Sequence, residues 1–266
     1  MINNDKQKNE PLFAEERKSE IIKLLNKNAK LKVPNLCEYF GVSPATIRND
    51  LRELGNGGLL KRTHGGAILN SKAGYEPNSY QKEVKYLKEK MAIAGFALSL
   101  VEDDDIIAID TGTTTLEFAK LLCEKKGITA VVNDINIASH LEEKSEVNVI
   151  LLGGILRRNF HCTIGVIAQK ALEGLNVDKA FMATNGISFE QGLTTPDLNQ
   201  SEIKKSMINI ASEVIVLCDS SKIGNIAFAQ VVSLDKIDRI ITDEGIEERD
   251  LQELKSLGVQ VDVVKA

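Results

Sequence analysis

The chain has 266 residues, 43% hydrophobic and 27% charged, enough for one small and one larger domain with separate cores. Its formal charge of −5 hides an asymmetry: residues 1–72 hold 13 Lys plus Arg against 8 Asp plus Glu, a net of +5, and residues 73–266 hold 20 against 30, a net of −10. No apolar run approaches the roughly 20 residues that cross a bilayer, and Cys37, Cys123, Cys162 and Cys218 are dispersed without a CxxC pair, which argues against a membrane protein, a disulfide scaffold and a cysteine metal cluster and predicts reduced, buried thiols in a cytoplasmic protein.

The first ten or so residues, rich in Asn, Lys and Gln, predict disorder. Ile21, Ile22, Leu24 and Leu25 predict an amphipathic helix, and Leu36, Tyr39 and Phe40 a second, short one that stops at Gly41. The stretch from Gly41 to Arg52 reads Gly-Val-Ser-Pro-Ala-Thr-Ile-Arg-Asn-Asp-Leu-Arg. Ser43 supplies a cap for the amides of the first turn, and Pro44 suits a first helical position, where its missing N–H costs nothing. Ile47, Leu51 and Leu54 recur at helical spacing and face a core, which turns Ala45, Thr46, Arg48, Asn49 and Arg52 outward. Small residues let a helix approach base edges, Arg forks onto guanine and Asn pairs with adenine. Two helices joined by a Gly turn form a helix-turn-helix. Beyond it, residues 59–68 predict two short strands around Gly65-Gly66 with Lys61, Arg62 and His64 near the tip, a basic wing able to follow phosphates. The expected DNA contacts are therefore Ser43, Ala45, Thr46, Arg48, Asn49, Arg52, Lys61, Arg62 and His64, in a domain over 14–69.

Residues 70–79 carry turn formers without apolar periodicity and predict a linker. A larger domain over 80–266 is expected to open with a helix whose buried face is Val84, Leu87, Met91, Ala94 and Leu98. Strands are predicted at Ile106 to Ile109, Thr129 to Val132, Val147 to Leu152, Ala180 to Ala183, Val214 to Cys218 and Ile240 to Thr242, mostly separated by helical stretches. That alternation predicts an α/β fold, a doubly wound parallel sheet. Ligands of such sheets bind beyond the carboxyl ends of the strands, and five of those ends are small or polar: Asp110 to Thr115, Asn133-Asp134, Gly153-Gly154, Asn185-Gly186 and Asp219 to Lys222. Gly112 permits a tight turn, Thr113, Thr114 and Thr115 offer hydroxyls at a helix amino end, and Lys222 adds a positive charge, which together predict a phosphate cradle. Asp110, Asn133, Asn185 and Asp219 are expected to bond hydroxyls, and Gly153-Gly154 reads equally as a ligand contact or a geometric turn.

The run Val-Ser-Pro-Ala-Thr-Ile-Arg-Asn-Asp-Leu followed by Gly-Leu-Leu-Lys-Arg-Thr-His-Gly-Gly-Ala resembles the winged helix of the DeoR family of bacterial sugar-metabolism regulators. Asp-Thr-Gly-Thr-Thr, Leu-Leu-Gly-Gly-Ile-Leu-Arg, Val-Asp-Lys-Ala-Phe with Asn-Gly-Ile, Gly-Leu-Thr-Thr followed by Glu202, and Asp-Ser-Ser-Lys resemble that family's effector domain. The resemblance spans about Glu15 to Val264. It departs at Asn49, where many members carry a second Arg, and at Lys32-Val33, where a Ser or Thr cap is usual. The resemblance implies a sensor similar in fold to ribose-5-phosphate isomerase and glucosamine-6-phosphate deaminase that binds phosphorylated sugars. It further implies that Asp219 and Lys222 form the effector motif, that Gly112 to Thr115 form the phosphate loop, and that Arg157 and Glu202 occupy further family positions.

The expected function is a transcriptional regulator, a repressor of carbohydrate use relieved by a phosphorylated sugar, acting on operator DNA as a dimer or higher homo-oligomer, with no membrane partner, cofactor or metal. The competing class is a sugar-phosphate isomerase or deaminase with an appended DNA-binding module, for which Glu202, Asp110 or Asp219 would have to serve as general base.

Overall fold

The computed structural model describes residues 13–28, 30–56, 60–63, 65–69 and 76–266. His64, the amino-terminal segment and most of the expected linker lie outside the described residues. The chain divides into two units, Met1–Pro77 and Asn78–Ala266.

In the first unit, α1 (Ala14–Asn28), β1 (Lys30–Lys32), α2 (Val33–Phe40), α3 (Pro44–Asn56), β2 (Leu60–Thr63) and β3 (Gly66–Leu69) surround a core of Ile21, Leu25, Leu36, Ile47, Leu51 and Leu60. Gly41, at φ 64°, ends α2 in the left-handed region that glycine adopts without strain. Tyr39, expected inside, is 60% exposed, its ring edge against Phe40 at 4.8 Å. The wing is a three-stranded sheet rather than a hairpin, because β1 pairs antiparallel with β3. Gly66 makes this third strand possible: a Cβ there would lie 1.9 Å from the carbonyl oxygen of Leu31.

The second unit begins with α4 (Ser79–Glu83), capped by a reciprocal Asn78–Gln81 pair, and α5 (Leu87–Leu98). The single helix expected from Tyr80 is broken at Tyr86, a non-glycine residue at φ 54°. The break re-aims the chain, so Val84, Leu87 and Met91 are exposed and α5 instead buries Lys90, Ile93, Ala94, Ala97 and Leu98. There follow β4 (Ile106–Ile109), α6 (Thr113–Leu121), β5 (Thr129–Val132), α7 (Ile135–Lys144), β6 (Asn148–Leu151), β7 (Ile155–Arg157), β8 (Cys162–Ile164), α8 (Val166–Leu172), β9 (Val177–Ala183), β10 (Gly186–Ser188) and β11 (Gly192–Thr195). The chain closes with α9 (Leu198–Asn209), β12 (Ala211–Leu217), β13 (Ala229–Val232), β14 (Arg239–Asp243), α10 (Glu248–Ser256) and β15 (Gln260–Val264).

All six expected strands join one parallel seven-stranded sheet, in the order β15-β14-β12-β9-β4-β5-β6. Alternate side chains feed two cores. Ile107, Ile109, Phe181 and Ile215 meet α5, α6 and α7 on one face, while Ala108, Ala180, Met182 and Val216 meet α8, α9 and α10 on the other. The sheet is doubly wound, and its strand order reverses between β4 and β9. In such sheets that reversal opens a crevice at the carboxyl ends.

Candidate functional site

The outward face of α3 follows from its start. Ser43 Oγ accepts from the amide of Thr46 at 3.1 Å, and Pro44 is the first helical residue. Ala45, Arg48 and Arg52 are exposed, Thr46 and Asn49 half-buried, and Lys61 and Arg62 lie exposed on β2. Asn49 is engaged along its own helix: Arg52 donates to its Oδ1, and its Nδ2 donates to Glu53 Oε1 at 2.7 Å. Arg48 makes no ion pair among the described residues, so its guanidinium is open to an outside acceptor. The residue that sequence reasoning missed is Asp50, buried under α3, which receives Arg17 Nε at 2.6 Å and Nη2 at 3.1 Å. This buried fork ties α3 to α1.

At the reversal of the sheet, Asp110 follows β4 and accepts from the amide of Ala183, which ends β9, at 3.0 Å. Lys204 of α9 donates to the same carboxylate and to the carbonyl of Ala183 at 2.8 Å; both charged groups are buried. Burial pushes the Asp110 carboxyl upward, and the Lys204 charge opposes that shift. Among the described residues, Asp110 Oδ1 and Asn133 Nδ2 are buried without a hydrogen-bond partner. Asn133 Oδ1 accepts from the amide of Thr111 at 3.0 Å, and Thr111 Oγ1 donates to Asp134 at 2.5 Å. Cys162 is buried, and burial pushes its thiol up to about 12.

Arg157 stacks on Phe160 at 3.8 Å and donates to Gln200 Oε1 at 3.2 Å; Thr195 Oγ1 joins Gln200 to Asn185 Oδ1, each at 3.2 Å. Arg157 and Asn185 are thus brought together through two residues that sequence reasoning did not nominate.

A cluster of charges of both signs lies at the end of β12. Asp219 caps a short turn by accepting from Ser221, and Lys222 Nζ sits 3.6 Å from it. Lys90 is 3% exposed and brought down to about 8 by burial, with Lys222 lowering it further and Asp219 opposing. Lys90 and Lys222 share this neighbourhood with the carboxylates of Asp219, Asp243, Glu89 and Glu117, and Tyr86, the left-handed joint between α4 and α5, feels Asp219.

Gly112 does what its place requires: a Cβ there would lie 2.6 Å from Ala183 Cβ. Thr113 is half-buried, Thr114 is buried, and Thr115 is fully buried with its hydroxyl donated to the carbonyl of Gly112 at 3.0 Å, so Thr115 shapes the loop. Gly153 and Gly154 are exposed at the end of the edge strand β6. Gly154 stands at φ 144° with Ile164 O only 2.7 Å from an added Cβ, which accounts for it as a geometric turn. Glu202 does not join these groups. It is exposed on α9 and paired with Lys205 at 2.8 Å, because the inward stripe of that helix is Gln200, Ser201, Ile203 and Lys204. Cys162 and Cys218 are buried as expected, whereas Cys123 is exposed.

The sequence matches the family described as the DeoR-like helix-turn-helix domain over residues 17–73 and the one described as the DeoR C terminal sensor domain over residues 85–244. It is 38% identical over 246 residues to the HTH-type transcriptional regulator GlpR of Haloferax volcanii, covering 92% of this chain and 96% of that protein. The chain belongs to the DeoR family. It is also 32% identical to the regulator GolR of Listeria innocua, covering 96% of this chain and 100% of that protein. A putative aga operon transcriptional repressor of Escherichia coli O157:H7 is 32% identical, with 94% and 93% covered. Among solved structures, ribose 5-phosphate isomerase A of Methanocaldococcus jannaschii is similar over 50% of this chain and 53% of its own, at 20% identity and a TM-score of 0.38.

As a DeoR-family member the chain is a DNA-binding transcriptional regulator with a carboxyl-terminal sensor. Lys90 and Lys204 were hidden from sequence reasoning because each sits inside a helix at an apolar-face spacing, where a Lys reads as a solvated charge. The usable signal was the spacing itself: Lys204 follows Gln200 by four residues and stands beside Ile203 and Met207, on the inward stripe.

Proposed function

We propose that this DeoR-family regulator represses a carbohydrate-utilisation operon and releases its operator when a phosphorylated sugar enters the crevice between β4 and β9. The observation that carries the sensing half is the row of polar groups at the carboxyl ends of the parallel strands: Asp110 after β4, Asn133 after β5, and Asp219 after β12 with Lys222 Nζ 3.6 Å away. The amino end of α6 at Gly112 to Thr115 adds amides and a favourable dipole. Asp110 Oδ1 and Asn133 Nδ2, one acceptor and one donor left unsatisfied, match a sugar hydroxyl, which both gives and takes a hydrogen bond. A relative named as a repressor of an aga operon supports repression as the sign of control.

In this reading α3 enters the major groove with Ala45, Thr46, Arg48, Asn49 and Arg52, while Ser43, Lys61 and Arg62 hold phosphates. One module of this size covers too little DNA to discriminate well, so the working form is at least a dimer. The chain enters the sensor through α4 and the Tyr86 joint, immediately before Lys90. An anion that pulls Lys90 toward Lys222 therefore acts on the segment that follows the DNA-binding unit. The enzyme reading is weakened because Glu202, its nominated base, faces outward and is paired with Lys205. Binding of the protein to DNA from upstream of its own gene, followed by fluorescence anisotropy with a panel of sugar phosphates, tests the proposal. Release by one member supports it, and an unchanged affinity across a broad panel overturns it.

A further inference from the structure

The tip of the β7–β8 hairpin holds Phe160 between two residues in the left-handed region, Asn159 at φ 69° and His161 at φ 59°. A non-glycine residue costs energy there, so two of them beside one aromatic side chain mark a tip fixed by its surroundings. One side of the tip is pinned to the crevice. Ile135 donates its amide to the carbonyl of His161 at 2.8 Å, and Thr163 donates its amide to the carbonyl of Asn133 at 2.8 Å, so the hairpin runs along the strand end that carries Asn133. Arg157, which donates to Gln200, has its Cζ 3.8 Å from the centroid of the Phe160 ring.

The other side of the tip meets α4, the element that follows the DNA-binding unit. Ser79, the first residue of α4, donates its amide to the carbonyl of Asn159 at 3.2 Å, and Lys82 Nζ lies 5.7 Å from the centroid of the Phe160 ring. The first amides of a helix have no acceptor within it, so the tip supplies what α4 itself lacks. None of the five side chains of α4 is fully buried, so apolar packing does little to seat this helix and the polar contacts at its two ends decide its place. At the far end Lys90 donates to the carbonyl of Lys82.

We infer that Phe160 is a positioning residue that links Arg157 of the crevice network to the seating of α4, an inference that rests on the sensing proposal above. An aromatic ring attracts cations, and the planar, weakly hydrated guanidinium stacks on it better than an ammonium does. An anion entering the crevice competes for Arg157 with Gln200 and with the Asp197 carboxylate, 3.6 Å away. Arg157 drawn off the ring leaves Phe160 with one cation instead of two, and the tip loosens its hold on Ser79 and Lys82. Occupancy of the crevice thus reaches the segment beside the DNA-binding unit through a chain of direct contacts.

Hydrogen exchange at the Ser79 amide, followed in the full chain without DNA or any ligand, tests this link. Phe160→Leu, which removes the ring, and Arg157→Lys, which keeps the charge but loses the planar stack, are each expected to speed exchange about tenfold, and the two together no more than either alone. Phe160→Tyr, which keeps the ring, and Arg158→Lys, at an exposed neighbouring position, are expected to exchange at the parent rate. Amides in α5 and α6 report global opening; where a variant speeds those as well, the comparison of Phe160→Leu with Phe160→Tyr decides the outcome. A parent rate at Ser79 in Arg157→Lys, additive effects in the double variant, or equal acceleration by Phe160→Leu and Phe160→Tyr would overturn the assignment. No sugar phosphate enters the experiment, so failure here leaves effector sensing standing, and an effector panel without response leaves the measured link intact.

Discussion

Lys204 of α9 and Asp110 at the end of β4 form an ion pair buried where the strand order of the sheet reverses, and Ala183 at the end of β9 bonds to both. The pair joins a helix and two strands at the mouth of the candidate effector crevice. Burying two charges is expensive, so such a pair adds little to stability as a unit, but removing one partner strands the other. Lys204→Met is therefore expected to destabilise the sensor by about 3–5 kcal/mol. Asp110→Asn added to Lys204→Met should recover most of that loss, because the amide oxygen still accepts from Ala183. Urea denaturation of the single and double variants checks this, and a single variant as stable as the parent would refute the coupling.

Lys90 gives a pH dependence with a definite sign. Its folded-state pKa is depressed from 10.5 to about 8 by burial, so the unfolded chain binds the proton more readily. Its contribution to stability is present above about pH 10.5, falls as pH drops toward 8, and levels off below that. Lys90→Met should flatten this part of the stability profile. An anion beside Lys90 raises its pKa again, so sugar-phosphate binding at about pH 8 should take up protons. Calorimetry in buffers of different ionisation enthalpy measures that uptake, and Lys90→Met should abolish it.

Two substitutions on α3 separate reading from folding. Arg48→Ala should weaken operator binding by about 1–3 kcal/mol without moving Tm, because the side chain is exposed and makes no ion pair among the described residues. Asp50→Ala should destabilise the winged helix by about 1–3 kcal/mol, since it removes the buried carboxylate that receives Arg17 and ties α3 to α1. Anisotropy titration and thermal melting, run side by side, distinguish the two outcomes.

Gly112→Ala tests the close approach of β4 and β9. The added methyl meets Ala183 Cβ at 2.6 Å, so the loop must shift, at an overpacking cost of about 1–3 kcal/mol. Operator binding should survive and the response to effector should be lost.

The parallel sheet was legible because six of its strands are apolar runs between helical stretches, and the DNA-reading helix because Ser43, Pro44 and the Ile47–Leu51–Leu54 stripe agree on one geometry. β15 was not, since Gln260 and Asp262 interrupt its apolar pattern at a sheet edge. The break at Tyr86 was not, because a left-handed joint at a tyrosine leaves no mark in residue type. The polar strand ends were visible as types, but their partners were not. Asp110 meets Lys204 across 94 residues of chain and Arg17 meets Asp50 across 33, separations that no local pattern encodes.

The coupling between crevice and operator is tested most directly by measuring the affinity of the active sugar phosphate twice, for the free protein and for the protein saturated with operator DNA. A regulator whose effector opposes DNA binding must show weaker effector binding in the presence of operator, by the same factor by which the effector weakens operator binding. Lys222→Ala should abolish the effector response while leaving operator affinity unchanged. Equal effector affinity with and without operator would contradict the coupling between the two units.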